Sequence, residues 1–230
     1  MRRLIPLLCL GLALAGCGGN ETATTTTVSV DASTTTAATT TTAASAGAVG
    51  CVEVQAPKPA PRPVTGDYEF LEPSQTHLVT MTTNCGTFTI RLDPLQSPNA
   101  TSSFVWLVKL GYYDHTIFDR IVPNSRIQGG DPTATGTGGP GYTTQDTPPE
   151  GTRYTHGVVA MAKTDAEAPG TAGGRFFIVT ASEVPLPSDY AIIGRVEEGI
   201  DVVDAIGELG GPDEKPAQVA EIESATYTNS

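Results

Sequence analysis

From Gly111 onward the sequence is cut so often by glycine and proline that no long element survives. The chain holds 25 glycines and 18 prolines in 230 residues, and these are the strongest local punctuators of structure. Between them stand short apolar runs, which read as strands closed by turns. Many short strands with turn signals throughout predict a mostly β domain. They favour a closed antiparallel barrel over a doubly wound sheet.

Two helices interrupt this pattern. Ser97-Pro98 offers an N-cap followed by proline at the first helical position. Phe104, Val105, Leu107, Val108 and Leu110 then recur at helical spacing until Gly111 stops the run. The second, brief helix follows Gly199, with Ile200, Val203 and Ile206 on one face. Upstream, Val79–Met81 and Phe88–Leu92 predict a hairpin around Asn84-Cys85-Gly86, a good turn sequence. Residues 131–156 are expected to form one long irregular loop, the kind a compact domain keeps for function.

The first quarter of the chain cannot contribute a core. Met1-Arg2-Arg3 and the apolar run Leu4–Ala15 read as a signal peptide over residues 1–16, too short to span a bilayer. Leu14-Ala15-Gly16-Cys17 resembles a bacterial lipobox, in which Cys17 would carry lipid and become the new N-terminus. Residues 20–50 are almost entirely Thr, Ala, Ser and Gly, and bury too little to offset their ordering entropy. Pro57, Pro59, Pro61 and Pro63 favour polyproline II and a stiff spacer. Residues 17–66 are therefore expected as a tether and 67–230 as one folded domain. A less favoured reading lets the proline strap visit the domain's own groove. Cys9 leaves with the signal and Cys17 takes the lipid, so Cys51 and Cys85 remain to form one disulfide. The net charge of −12 becomes −14 once Arg2 and Arg3 are removed. That disfavours nucleic acid and electrostatic docking on anionic lipid, leaving the lipid anchor as the membrane contact.

The stretch Phe118–Asp131 carries the chemistry. Two short apolar runs flank the turn signal Pro123-Asn124, so two strands meet at a corner that brings Arg120 and Gln128 toward one sheet face. Gly129-Gly130 before Asp131 suggests a tight bend or close backbone approach. An arginine and an amide are good donors but poor nucleophiles and bases, so such a site holds and polarises. Other motifs fail on context. Gly136–Gly141 matches G-x-G-x-x-G, yet no βαβ unit surrounds it and Pro140 opens no helix. His77, His115 and His156 lack the neighbours of a hydrolytic triad, and no cysteine or histidine cluster suggests a metal.

These residues resemble the signature of the cyclophilin family of peptidyl-prolyl cis-trans isomerases. Further matches follow in order: Gly136–Tyr142, Gly157–Ala162, Gly173–Thr180 and Ile192–Gly199, with Asn84–Leu92 as the opening hairpin. The resemblance spans roughly residues 76–226 and implies a closed eight-stranded barrel capped by two helices. It implies catalysis by Arg120 and Gln128, with no cofactor, on proline-containing peptide segments. Together with the lipobox, the expected enzyme is a monomer that acts on exported proteins at the extracytoplasmic membrane face. The implied substrate groove comprises Phe118, Ser125, Arg126, Met161, Ala162, Lys163, Arg175, Phe177, Leu186 and Tyr190. Of these, Phe177 and Leu186 would line the proline pocket, and Met161–Lys163 would offer a strand edge to the peptide. The chain departs from the family at Asp119, Ser125, Arg126, Arg175, Pro185 and Tyr190. A pocket aromatic exchanged for serine forfeits roughly 1.5–3 kcal/mol of contact, one to two decades in kcat/KM. Arg126 and Arg175 are expected to pair with Asp119 or with acidic peptides. The alternative function is a proline-peptide binding module with reduced catalysis.

Overall fold

The computed structural model describes residues 50–230, so Cys17, the signal peptide and most of the expected tether lie outside the described residues. The hairpin pairs β1 (His77–Thr83) with β2 (Gly86–Leu92) in antiparallel register across the Asn84-Cys85 turn. Helix α1 (Pro98–Lys109) follows. Then come β3 (Thr116–Ile117), β4 (Arg120–Val122) and β5 (Arg126–Gly129), and the short strands β6 (Thr144–Gln145) and β7 (Tyr154–Thr155). Strands β8 (Val158–Met161), β9 (Thr171–Ala172), β10 (Phe176–Val179), β11 (Glu183–Val184) and β12 (Ile192–Glu198) lead into helix α2 (Ile200–Gly207). Strand β13 (Glu221–Asn229) closes the chain.

Nine of these strands form one antiparallel sheet in the order β3-β13-β1-β2-β12-β8-β10-β5-β4. Strands β3 and β4 are its two ends, so the sheet curls strongly without closing. The expected closed eight-stranded barrel is thus an open, nine-stranded curl. The end strands have two and three residues, and no pairing joins them. Inside the curl lies an apolar core that includes Phe88, Phe104, Tyr113, Ile127, Phe176 and Ile193, all 0–1 % exposed. Helix α1 packs against β13, β6 and β12, and α2 against β2 and β5.

Local chemistry explains the boundaries. Ser97 stands at the α1 N-cap, but its side chain makes no capping bond. The helix amide of Ala100 instead donates to Asp146 Oδ2 at 2.6 Å, and Asn99 Nδ2 to Asp146 Oδ1 at 2.8 Å. A carboxylate from a distant loop thereby satisfies the helix start. The β4–β5 corner turns at Asn124, whose φ of 54° is left-handed. Gly130, at φ 85°, has no room for a side chain, since a Cβ there would lie 2.6 Å from the Gly174 carbonyl.

The loop expected across residues 131–156 is more ordered than irregular, because Asp131 organises its start. Its two carboxylate oxygens accept hydrogen bonds from the backbones of Thr133, Thr135, Thr137 and Gly138 and the hydroxyls of Thr133 and Thr135. Burial opposes its charge, but these donors prevail and hold the carboxyl down at about 2.

The proline strap, expected as a spacer, lies along the domain. Ala60 N–H donates to Pro132 O, Val64 N–H to Pro140 O, and Arg62 Nη1 to the carbonyls of Gly111, Tyr112 and Asp114. Its partners lie in the 132–140 loop and behind α1, away from β4, β5 and β10, so it does not enter the expected groove. The Cys51–Cys85 disulfide pins its start to the β1–β2 turn.

Candidate active site

Strands β8, β10, β5 and β4 lie side by side, and their register builds the site. Arg120 stands opposite Gln128, Gln128 opposite Phe177, and Phe177 opposite Ala160. Since cross-strand partners share a sheet face, these four residues form one row on the outer surface of the curl. Val122, Arg126 and Val179 form the next row along. Phe177 sits in a second apolar cluster with Tyr154, Val158, Ala160, Ala162, Val179, Val184 and Ile192, and Leu186 and Tyr190 pack onto it.

Phe177 is walled by aromatic edges. Tyr190 meets it in a T-shaped arrangement at 5.4 Å and Tyr154 at 6.2 Å. Tyr154 holds Tyr190 in place, because its hydroxyl donates to Tyr190 O and accepts from Tyr190 N–H, both at 3.0 Å. The Arg126 guanidinium lies 5.6 Å from the Phe177 ring centre. The row thus presents an aromatic surface, an amide and a cation together.

Arg120 is not alone. Its Nε and Nη2 both lie 2.6 Å from Glu214 Oε2. Glu214 is carried by the loop after α2, tied to β4 through Ile121 N–H donating to Glu214 O at 2.9 Å. The side chains of Arg120 and Glu214 are 39 % and 40 % exposed, so the pair orients the guanidinium at the groove surface. Gln128 is buried, and its amide makes no side-chain hydrogen bond among the described residues.

Other expected groove residues are placed differently. Phe118 is fully buried in the inner core, edge-on to Phe176 at 6.1 Å, and does not line the groove. Its residue falls between β3 and β4, where strand alternation no longer governs direction. Met161 likewise points into the inner core. Strand β8 is also no free edge, lying between β12 and β10, and the N–H groups of Met161 and Ala162 donate to Ala191 O and Arg175 O. The edge expected across Met161–Lys163 contracts to Lys163, whose main chain makes no hydrogen bond among the described residues. The Lys163 ammonium is turned inward. It donates to Thr164 O and Glu167 O and sits 3.8 Å from Asp189 Oδ2.

Arg175 borders a groove of about 410 Å³ with Thr137, Gly138, Tyr142, Glu167 and Gly173. Its Nη1 donates to Gly136 O at 2.6 Å, and its Nη2 lies 3.6 Å from Glu167. Neither Arg126 nor Arg175 forms an ion pair with Asp119, which stands within the break between β3 and β4. Asp119 is buried with Oδ1 unpartnered, and burial first, with Asp131 adding, pushes its carboxyl up to about 6. A larger cavity of about 440 Å³, among Arg91, Gln96, Arg153 and Arg195, lies away from this row and carries none of its chemistry.

Glu214, Tyr154 and Glu167 are the site residues that the sequence did not disclose. Glu214 stands 94 residues from Arg120, and no local spacing signals such a contact.

The comparisons agree with this arrangement. The sequence pattern of the family described as cyclophilin type peptidyl-prolyl cis-trans isomerase/CLD matches residues 78–227. A peptidyl-prolyl cis-trans isomerase-like 1 protein of Gibberella zeae is 34 % identical over 152 residues, covering 64 % of this chain and 92 % of its own. One of the same name from Neurospora crassa is 39 % identical over 133 residues, covering 56 % of this chain and 80 % of its own. Among solved structures, a Cryptosporidium parvum cyclophilin type peptidyl-prolyl cis-trans isomerase aligns at a TM-score of 0.61 and 31 % identity, covering 66 % of this chain and 98 % of that one. That protein was also solved in the presence of the dipeptide Ala-Pro, and aligns in that form at a TM-score of 0.60 and 30 % identity. This chain belongs to the cyclophilin-type peptidyl-prolyl cis-trans isomerase family, the enzymes of EC 5.2.1.8.

Proposed function

We propose that this chain isomerises X-Pro bonds in exported or cell-envelope proteins, tethered to the extracytoplasmic membrane face through lipid on Cys17. The tether rests on Leu14-Ala15-Gly16-Cys17 and the Thr/Ala-rich stretch after it. The observation that carries the catalytic reading is the single outward row Arg120–Gln128–Phe177–Ala160. The X-Pro bond turns slowly because conjugation gives it double-bond character, with a barrier near 20 kcal/mol. The prolyl nitrogen lone pair is free only when the amide is twisted. A cation donating to it therefore favours the transition state over either planar isomer. Arg120 is assigned that donor, pre-aimed by Glu214. Gln128 holds the peptide backbone, and Phe177, walled by Tyr190 and Leu186, receives the proline ring. No nucleophile or cofactor enters the reaction. The molecule is expected to act as a monomer on proline-containing peptide segments.

One observation favours the second reading, a proline-peptide binding module of reduced turnover. Arg126 covers part of the Phe177 face, and Ser125 beside it supplies no apolar wall. Proline exchange in a blocked Ala-Pro peptide, measured by NMR with wild type and Arg120→Ala side by side, separates the two. Acceleration that falls about a hundredfold in the variant supports the isomerase, as expected for losing one transition-state donor. Binding without acceleration supports the module.

A further inference from the structure

Four cations surround the groove, and three already face carboxylates: Arg120 with Glu214, Lys163 with Asp189, and Arg175 with Glu167. The fourth, Arg126, takes part in no ion pair among the described residues. Its one hydrogen bond there goes from Nη1 to Ser125 Oγ at 3.3 Å. Four of the five N–H donors of a guanidinium are thus left for a ligand or water. Of the charged groups that act on Arg126, Arg120 and Glu214 are opposite in sign and paired with each other. In a chain of net charge −12, this groove therefore carries one uncompensated positive charge. The guanidinium is also partly desolvated against the Phe177 ring, where a charge pair is worth more than in open water.

The register fixes where along the groove it stands. Along β10 from Arg175 to Val179, the cross-strand partners run from Met161, through Ala160 at Phe177, toward the Arg126 end at Val179. Lys163 lies beyond Met161, at the opposite end from Arg126. For a peptide that has its proline on Phe177 and runs from the Lys163 end toward the Arg126 end, the residue after the proline falls at Arg126. That placement rests on the proposed function above.

We propose that Arg126 makes this enzyme selective for prolines followed by an acidic residue, its guanidinium receiving the carboxylate of the Pro-Glu or Pro-Asp side chain. The closing experiment uses the full-length chain and C-terminally amidated tetrapeptides Ala-Ala-Pro-Glu, Ala-Ala-Pro-Gln and Ala-Ala-Pro-Lys, with kcat/KM taken from NMR exchange. The Glu:Gln ratio is expected at about 5, the ~1 kcal/mol of one half-exposed charge pair. It should approach 1 in 1 M salt, where the screening length is about 3 Å. In Arg126→Met the ratio is expected near 1, and Arg126→Glu should favour Lys over Glu. A wild-type ratio near 1, or one unchanged in Arg126→Met, overturns the proposal. If no peptide is accelerated, the isomerase reading fails instead, and the same ratios are read from Kd values. A preference for Glu there, lost in Arg126→Met, sustains the selectivity, while equal or absent binding overturns it.

Discussion

Phe176 and Phe177 are neighbours in sequence and opposites in structure. Phe176 points into the curl, where Phe104, Tyr113 and Phe118 meet it edge-on at 5.6–6.1 Å. Phe177 points outward, where it meets Tyr154, Tyr190 and the Arg126 guanidinium. Both are at most 1 % exposed, so burial alone does not tell them apart. The inner face of β8, β10, β5 and β4 is sealed by apolar residues all round. The outer face is a smaller apolar cluster whose rim is charged. The first makes the fold, and the second carries the row of Arg120, Gln128 and Phe177.

The most demanding test of this contrast is to truncate each ring. Phe176→Ala opens a void deep in the inner core and is expected to cost about 3–5 kcal/mol, with a melting temperature lower by roughly 10 °C or more. Phe177→Ala should cost less, about 2–3 kcal/mol, because its ring belongs to the smaller apolar cluster on the outer face. Activity should order the other way. Corrected for the folded fraction, kcat/KM should fall at least tenfold in Phe177→Ala and less than threefold in Phe176→Ala. Thermal melts and NMR exchange on the same samples decide it, and equal activity losses would dissolve the division of labour.

The same two-fold alternation explains what the sequence disclosed. Arg120 and Gln128 share the outer row because each occupies a strand position facing its partner across β4–β5. Met161 was expected on the groove, yet it alternates with Ala160 and so had to face the core. Phe118 carried no such signal, since it precedes β4. The open curl was not legible either, because whether β3 and β4 pair with each other is a long-range outcome that local propensity does not fix. The contacts that finish the site come from far along the chain: Glu214 to Arg120, Asp146 to the start of α1, Tyr154 to Tyr190. Only the fold brings them together.

Asp119 is a buried acid in the break between β3 and β4, outside the apolar core. Its carboxyl is raised to about 6 from an ordinary 3.8, by burial first and by Asp131, against Lys215 and Arg175. A raised folded value means that the native state holds a proton the unfolded chain has released. The associated stability is complete below about pH 4 and is lost as pH rises through about 6. Asp119→Asn removes this dependence, and its stability should exceed that of wild type at pH 7.5 by about 2–3 kcal/mol, raising the melting temperature there, yet match it near pH 4. Melts from pH 4 to 8 would show the two curves diverging. Parallel curves would mean that the carboxylate is already solvated in the folded state.

The smallest expected effect falls at the rim, where Glu214 meets Arg120. Both side chains are about two-fifths exposed, so breaking the pair should change stability by less than 1 kcal/mol. Its consequence lies in orientation. Two guanidinium nitrogens share Glu214 Oε2, which leaves Nη1 to face a ligand in a fixed direction. Glu214→Gln keeps the shape but weakens that hold, and kcat/KM is expected to fall about threefold to tenfold through lost alignment of the donor. The decisive reading is the double variant. If Glu214 works only by aiming Arg120, then Glu214→Gln adds nothing once Arg120→Ala has removed the donor, and the two losses are strongly non-additive. Fully additive losses would instead make Glu214 a contact for the peptide in its own right, so that the rim bound substrate through an anion as well as through cations.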